Sequence, residues 1–148
     1  MIEVTLPYPP SANRYWRHRS LPRGGGIRTY ISADGNKFRA AVHATLQSAG
    51  VRDPIKGRVK VTYRLFPNRP LDYKKRMRDM GEAWQDSVQC IDLDNAQKAL
   101  MDSLKGVAFE DDAWVREIVA QRAEPDGKAR IEVTIEAIEV DQPQLGLL

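Results

Sequence analysis

The stretch from Ile91 to Trp114 constrains this chain most, because it places aspartates on both sides of one short predicted helix. Asp92 and Asp94 stand at its start, and Asp111 and Asp112 follow its end. Apolar residues at three- and four-residue steps form the stripe that this helix would bury, namely Leu93, Ala96, Leu100, Leu104 and Val107. The pattern therefore predicts an amphipathic helix with carboxylates at both of its ends.

Gly106 follows the last helical turn and predicts a left-handed C-cap, after which the chain can double back. Such a reversal would bring Asp92, Asp94 and Asp112 together near Lys98, an inward-facing lysine one turn beyond Asp94. Clustered carboxylates repel one another, and desolvating them without a cation is costly. The simplest occupant is Mg²⁺ or Mn²⁺, because both are hard cations that take oxygen ligands. Each aspartate alone could instead cap a helix or shape a turn, but the whole constellation favours a functional site.

Composition places the chain among globular proteins and says less about its partners. Its 148 residues suffice for one domain with a core; 42% of them are hydrophobic and 29% are charged. The net charge of +3 permits nucleic-acid binding without requiring it. The single cysteine, Cys90, excludes an intramolecular disulfide and is typical of a reducing compartment. Because no apolar run approaches a membrane span, we expect a cytoplasmic chain that does not engage a membrane.

The N-terminal part of the chain combines a strand with an arginine-rich segment. Residues 2–6 alternate as a strand does, and three prolines then end the pattern. Residues 11–28 lack periodicity and interleave cations with aromatic rings, a composition that suits phosphates and unstacked bases. The side chains that we expect to contact DNA here are Asn13, Arg14, Tyr15, Arg17 and Arg19. The alternative is a solvated loop in which Tyr15 and Trp16 pack on the core and Asn13 holds a turn.

The remaining regular pattern predicts an α+β fold. Ser32 is a candidate N-cap for a helix over residues 33–49 that would bury Phe38, Val42 and Leu46. Alternation predicts strands over residues 58–66, 113–121 and 129–138. The turn signal at residues 126–127 predicts that the last two strands form a hairpin. The resulting order, β-α-β-[extra α]-α-β-β, gives a small mixed sheet with helices packed on it, in one domain over residues 1–140.

The extra helix is predicted within residues 70–90. Five apolar residues there follow helical spacing, namely Met77, Met80, Trp84, Val88 and Ile91. Four cations lie in the first half of this segment, namely Lys74, Lys75, Arg76 and Arg78. Cations near a helix N-terminus oppose the helix dipole, and an external polyanion would offset that cost. We therefore predict that they contact the DNA backbone, with merely solvated charges as the alternative.

Two motifs give the chain a family resemblance. Asp92-Leu93-Asp94-Asn95, Gln97-Lys98-Ala99 and Asp111-Asp112-Ala113 resemble the acidic motif of the RusA-like Holliday junction resolvases, and residues 6–15 resemble that family's opening. The resemblance covers most of residues 1–69 and 91–138 and indicates a phage or prophage-type member. The chain departs from it across residues 70–90, where the extra helix is inserted. Ile91 also stands where the family has a basic residue.

The resemblance implies a homodimeric, Mg²⁺-dependent endonuclease that resolves four-way DNA junctions by paired nicks in recombination and repair. Asp92, Asp94 and Asp112 would hold the metal, with Asp111 as a second-rank ligand. Lys98 would stabilise charge on the phosphate or position the nucleophile, and Asn95 would orient a ligand or contact DNA. We expect Asp102, two turns beyond Asp94, to be a surface acid.

Two other functions compete with this one. In the first, the chain is a DNA-binding replication or recombination accessory protein that keeps the fold without cleaving; the complete set of acids argues against it. In the second, it is a different metal-dependent phosphodiesterase, although two histidines support a histidine-based site poorly.

The C-terminal residues 141–148 are predicted to form a flexible tail. Gln144, Leu145, Leu147 and Leu148 resemble the short motif with which bacterial replication proteins dock on the sliding clamp. Such a peptide could insert its leucines into an apolar pocket while the glutamine amide bonds at the rim. The alternatives are a disordered tail, or leucines that pack on a neighbouring subunit.

Overall fold

The computed structural model describes residues 1–143, so the predicted clamp-binding residues lie outside the described part. The strands are β1 Ile2–Pro7, β2 Trp16–Ser20, β3 Ile27–Ile31, β4 Val59–Phe66, β5 Val115–Arg122 and β6 Arg130–Ala137. The α-helices are α1 Ala12–Tyr15, α2 Ala33–Ser48, α3 Tyr73–Met80 and α4 Leu93–Leu104. Short 3₁₀ turns cover Pro22–Gly24, Gly81–Ser87 and Asp112–Trp114. None of the helices within this range is long and apolar enough to cross a membrane.

A four-stranded mixed sheet with the order β1-β6-β4-β5 organises the fold, which confirms the predicted α+β class. Strand β6 runs antiparallel to both β1 and β4, whereas β5 runs parallel to β4. The predicted hairpin of the last two strands is therefore wrong, because β4 lies between them. Strand β6 buries Ile131, Val133 and Ile135 and takes an interior position, whereas the largely exposed β5 lies at the edge.

The core lies between the sheet and the helices α2 and α4. The four residues of β4 predicted to face inward, Val59, Val61, Tyr63 and Leu65, are each 0% exposed. The predicted stripe of α2 and the Leu100 and Leu104 side chains of α4 are also buried. Each fully buried side chain of this kind contributes roughly 1.5–3 kcal/mol of transfer free energy. Helix α4 is thus fixed along its apolar side, and its polar side is left at the surface.

The arginine-rich segment is more regular than its sequence predicted. Helix α1 is followed at once by β2 and β3, which pair as an antiparallel two-stranded ribbon. The Ser32 backbone N–H donates to the Tyr15 carbonyl at 2.8 Å, which closes the ribbon at its base. Both faces of this ribbon carry polar residues, so the alternation of apolar and polar residues that marks a half-buried strand is missing.

The inserted segment forms two short helical pieces instead of the single helix that was predicted. Gly81, with φ 60° and ψ −145°, ends α3 and separates it from the following 3₁₀ turn. Trp84 and Val88 are buried as predicted, but Met77 and Met80 remain 43% and 45% exposed. The break at Gly81 rotates the two halves relative to each other, so the five apolar residues do not share one face.

Gly35 lies where α1, β3 and α2 come close together. The Ser32 hydroxyl accepts a hydrogen bond from the Gly35 backbone N–H at 3.0 Å, which confirms the predicted N-cap of α2. A Cβ atom added at Gly35 would lie 2.5 Å from the Tyr15 carbonyl oxygen and 2.7 Å from Cγ2 of Ile31. Glycine is therefore required here by space, although it lies inside a helix.

We predict that Gly35→Ala lowers the free energy of unfolding by about 1–3 kcal/mol, because overpacking outweighs the gain in helix propensity. Thermal and urea unfolding would measure the change. Gln47→Ala, at an exposed position of the same helix, is the control and should stay within about 0.5 kcal/mol of the original chain. A Gly35→Ala chain of unchanged stability would contradict the close packing.

Candidate active site

The start of α4 presents two carboxylates to solvent. Asp92 is the N-cap residue, Asp94 lies in the first turn, and both are exposed. The positive end of the helix dipole favours negative charge at these positions. Asp92 makes no side-chain capping hydrogen bond, and neither carboxylate forms an ion pair within residues 1–143. Both carboxylates are therefore free to bind a ligand.

Two tyrosines, the partly buried Tyr8 and the fully buried Tyr63, fix the backbone at this helix start. The Tyr8 hydroxyl accepts a hydrogen bond from the Ile91 N–H at 2.9 Å. The Tyr63 hydroxyl lies 3.2 Å from the Leu93 carbonyl and 2.8 Å from Oε1 of Gln97. Burial raises the pKa of each phenol to about 12, and the negative charge of Asp94 adds to the effect on Tyr63. Both phenols therefore stay protonated near neutral pH.

Lys98 lies in an open pocket on the polar side of α4. The pocket has a volume of about 310 Å³ and is lined by Trp16, Gln97, Lys98, Met101, Asp102 and Asp112. It joins three parts of the chain, because the first residue of β2 and the 3₁₀ turn after α4 both reach the helix here. The predicted reversal of the chain after α4 is thus present, and it brings Asp112 to the side of the helix that carries Lys98.

Asp102 is tied to this pocket and is not the simple surface acid that was expected. Its Oδ2 atom accepts a hydrogen bond from the Tyr15 hydroxyl at 2.5 Å. Burial and this bond both raise the pKa of Tyr15 above its usual range, so the phenol remains a donor. Spacing along α4 could not reveal the contact, because Tyr15 comes from a distant part of the chain.

Tyr15 is also a correction to the predicted DNA contacts. Its side chain is 0% exposed and lies against Trp16, with ring centroids 4.3 Å apart. A ring in this position cannot stack on a DNA base. The alternative considered for this residue, packing on the core, is the arrangement found.

Asp111 has a local role in the turn that follows α4. Its Oδ1 atom accepts a hydrogen bond from the Asp112 backbone N–H at 2.7 Å and lies 3.7 Å from Nζ of Lys105. This is the capping role that was weighed against metal binding for each aspartate. The Asp112 side chain, by contrast, is exposed and lines the pocket that holds Lys98.

The predicted convergence of Asp92, Asp94 and Asp112 is not seen. In the part of the chain that the structure describes, no three acidic, histidine or cysteine side chains lie close enough to hold a metal ion. The returning chain meets α4 at the level of Gln97 to Asp102, beyond the first turn. The metal-ligand set therefore stays a prediction, supported by the chemistry of its oxygen donors.

Most side chains predicted to contact DNA are accessible. Asn13, Arg14, Arg17 and Arg19 are exposed, and Arg14 forms an ion pair with Asp34 at 3.1 Å. In the inserted segment Lys74, Lys75 and Arg78 are exposed. Arg76 instead bonds to Asp72 at 2.9 Å and to the Ser87 carbonyl at 3.0 Å, which gives it a structural role. Asn95 is half-buried on α4.

The fold and the site together define a small α+β protein that presents exposed carboxylates and a lysine beside an arginine-rich surface. Those are the groups that a DNA-hydrolysing enzyme needs, namely oxygen ligands for a hard cation and cations for phosphates.

Sequence comparison gives the same class and identifies the family. The family described as "Endodeoxyribonuclease RusA" matches residues 7–136. Proteins named crossover junction endodeoxyribonuclease RusA are 35% identical in Shigella sonnei (strain Ss046) and 34% identical in Escherichia coli (strain K12). The relative in Enterobacteria phage 82 is 34% identical. Each alignment covers 89% of this chain and 91% of the relative. The chain belongs to the endodeoxyribonuclease RusA family, as its motifs predicted.

We predict that Tyr15→Phe lowers the free energy of unfolding by about 1.5–3 kcal/mol, because Asp102 loses a hydrogen bond to its charged carboxylate. Thermal unfolding would measure the loss. Tyr30→Phe removes an exposed hydroxyl from the ribbon and is the matched control, with no change expected. Equal stability of the two variants would show that the Tyr15–Asp102 bond contributes little.

Proposed function

We propose that this chain is a Mg²⁺-dependent, structure-selective DNA endonuclease that resolves four-way junctions by paired nicks in recombination and repair. One observation carries the proposal: Tyr8 and Tyr63 fix the start of α4, where the carboxylates of Asp92 and Asp94 make no ion pair among the described residues and Asp94 lies one turn before Lys98. Membership of an endodeoxyribonuclease family and the curated relatives' names support the reaction type and the substrate.

The acids of this site fit a hard divalent cation by their chemistry. Asp92, Asp94 and Asp112 are the proposed ligands, with Asp111 second in rank because its carboxylate already caps a turn. Mg²⁺ is the proposed ion, and Mn²⁺ has the same preference for oxygen. A bound ion of this kind would polarise the scissile phosphate and would lower the pKa of its bound water towards neutral pH.

The residues on the polar side of α4 would orient the phosphate. The exposed ammonium of Lys98 would neutralise charge that develops on the phosphate oxygens. Asp102, held by the Tyr15 hydroxyl, lies four residues beyond Lys98 and lines the same pocket. Asn95 would orient a ligand or contact the DNA.

Surface cations would hold the arms of the junction. Arg14, Arg17 and Arg19 lie on or near the ribbon beside the polar Asn13, and Lys74, Lys75 and Arg78 lie on the inserted segment. Contacts to phosphates do not depend on the base sequence, which suits a protein that recognises the shape of DNA.

If the inserted segment contacts phosphates, replacing Lys74, Lys75 and Arg78 with glutamine should make the salt dependence of junction binding shallower. An unchanged salt dependence would mean that these charges are merely solvated.

The working unit is proposed to be a homodimer, because a symmetric junction needs two cuts and two-fold symmetry supplies two related sites. A monomer mass in light scattering, with full resolving activity, would contradict it.

We propose separately that the C-terminal tail docks on a bacterial sliding clamp through Gln144, Leu145, Leu147 and Leu148. It fails if the full-length chain shows no saturable binding to purified clamp.

The direct test incubates purified protein with a synthetic four-way junction or a linear duplex of matched sequence, with Mg²⁺ or with EDTA. We expect paired nicks in the junction only, and only with the metal. Equal cutting of the junction and the duplex would contradict the proposed structure selectivity, and cutting in EDTA would contradict the proposed metal requirement. Tight junction binding without cleavage would instead support the accessory-protein alternative.

A further inference from the structure

The pairing of β2 with β3 gives the ribbon two different faces. Side chains alternate along a strand, and residues directly opposite each other share a face. Arg17 pairs with Tyr30, and Arg19 pairs with Arg28, so these four side chains form one face. We call this set, Arg17, Arg19, Arg28 and Tyr30, the arginine face.

The other face of the ribbon contacts the protein body and the pocket of Lys98 at its base. Trp16 pairs with Ile31 at the base of the ribbon, and both pack against the core. Trp16 also lines the pocket that holds Lys98 and Asp112. Since Trp16 and Arg17 are neighbours in one strand, their side chains leave on opposite sides. The ribbon therefore starts at the candidate active site and turns its arginine face away from it.

The arginine face is electrostatically unfavourable in the isolated chain. Residues 16–31 contain four arginines and a histidine but no aspartate or glutamate. No salt bridge between residues 1 and 143 involves any of these arginines. Arg19 and Arg28 lie directly opposite each other, and like charges at such positions destabilise a strand pair. A polyanion bound to this face would relieve that repulsion.

Tyr30 gives the arginine face a second property. It is 46% exposed and lies opposite Arg17, so an aromatic ring is available between cations. Arginines around an exposed aromatic ring suit phosphates and one unstacked base together. A continuous duplex keeps its bases stacked on one another, whereas a branch point interrupts that stacking. The ring therefore adds a preference that charge alone cannot supply.

We propose that the arginine face binds DNA at the branch point, with Tyr30 stacking on a base that the branch exposes and Arg17, Arg19 and Arg28 holding the adjoining phosphates. The ribbon would then lie between two arms, one at the pocket of Lys98 and one on the arginine face. This inference rests on the proposed junction substrate and names the residues that distinguish a junction from a duplex.

The test measures binding of the full-length chain in EDTA, by fluorescence anisotropy, to a four-way junction and to a matched duplex. We expect Tyr30→Ala to weaken junction binding about tenfold and duplex binding less than twofold. Tyr30→Phe, which keeps the ring, should bind as the original chain does. Gln47→Ala, at an exposed position of α2 outside the ribbon, is the control and should change neither affinity.

A second readout reports stacking directly. A 2-aminopurine placed at the branch point should lose fluorescence when the original chain or Tyr30→Phe binds, and should lose much less with Tyr30→Ala. Replacing Arg17, Arg19 and Arg28 with glutamine should make the salt dependence of junction binding shallower by about two to three phosphate contacts. Thermal unfolding of every variant checks that the fold is intact.

Several outcomes would overturn the proposal. Equal loss of junction and duplex binding by Tyr30→Ala would mean that Tyr30 is a non-selective contact. Unchanged binding would mean that Tyr30 does not contribute to DNA binding. Suppose that the original chain cuts junctions, and that Tyr30→Ala binds junctions and quenches 2-aminopurine as strongly as the original chain does. In that case only the ribbon proposal fails. If the original chain neither binds nor cuts junctions, the proposed function itself fails.

Discussion

The hydrogen bonds between two tyrosine hydroxyls and the backbone at the start of α4 hold the candidate site in place. Tyr8 holds the Ile91 N–H from the segment after β1, and Tyr63 reaches Leu93 from the middle of β4. The apolar side of α4 is buried against the sheet, so the helix cannot rotate. Asp92 and Asp94 are thereby held at the surface, where they would otherwise belong to a helix end that frays.

The negative charge of these exposed acids opposes DNA binding, and cations on the surrounding surface offset it. Exposed carboxylates repel phosphates, so a DNA-hydrolysing site needs cations close by. Lys98 supplies one beside the acids, and the arginine face supplies more at the end of a ribbon that begins at the same pocket. The pocket of Lys98 and the cations proposed to bind DNA are therefore connected through Trp16, which belongs to both the ribbon and the pocket.

The sequence predicted the features that depend on neighbouring residues. The capping by Ser32, the alternation of β4 and the stripe of α4 all follow from local periodicity, and all are present. The pairing of β5 with β4 could not be predicted, because alternation identifies a strand but not its partner. The contact between Tyr15 and Asp102 was missed for a related reason: it joins residues 87 positions apart. The convergence of the acids was over-predicted, since a reversal at Gly106 fixes the direction of the chain but not where it meets α4.

Cleavage and binding of a four-way junction by Asp94→Asn would show whether the start of α4 is the catalytic centre. The substitution keeps the shape of the side chain and removes only its charge at the helix start. We expect cleavage with Mg²⁺ to fall by about 100-fold or more, while the melting temperature is kept and junction binding is unchanged or tighter. Asp86→Asn, at an exposed acid of the inserted segment, should cleave normally. Cleavage by Asp94→Asn at the rate of the original chain would contradict the claim that the start of α4 is the catalytic centre.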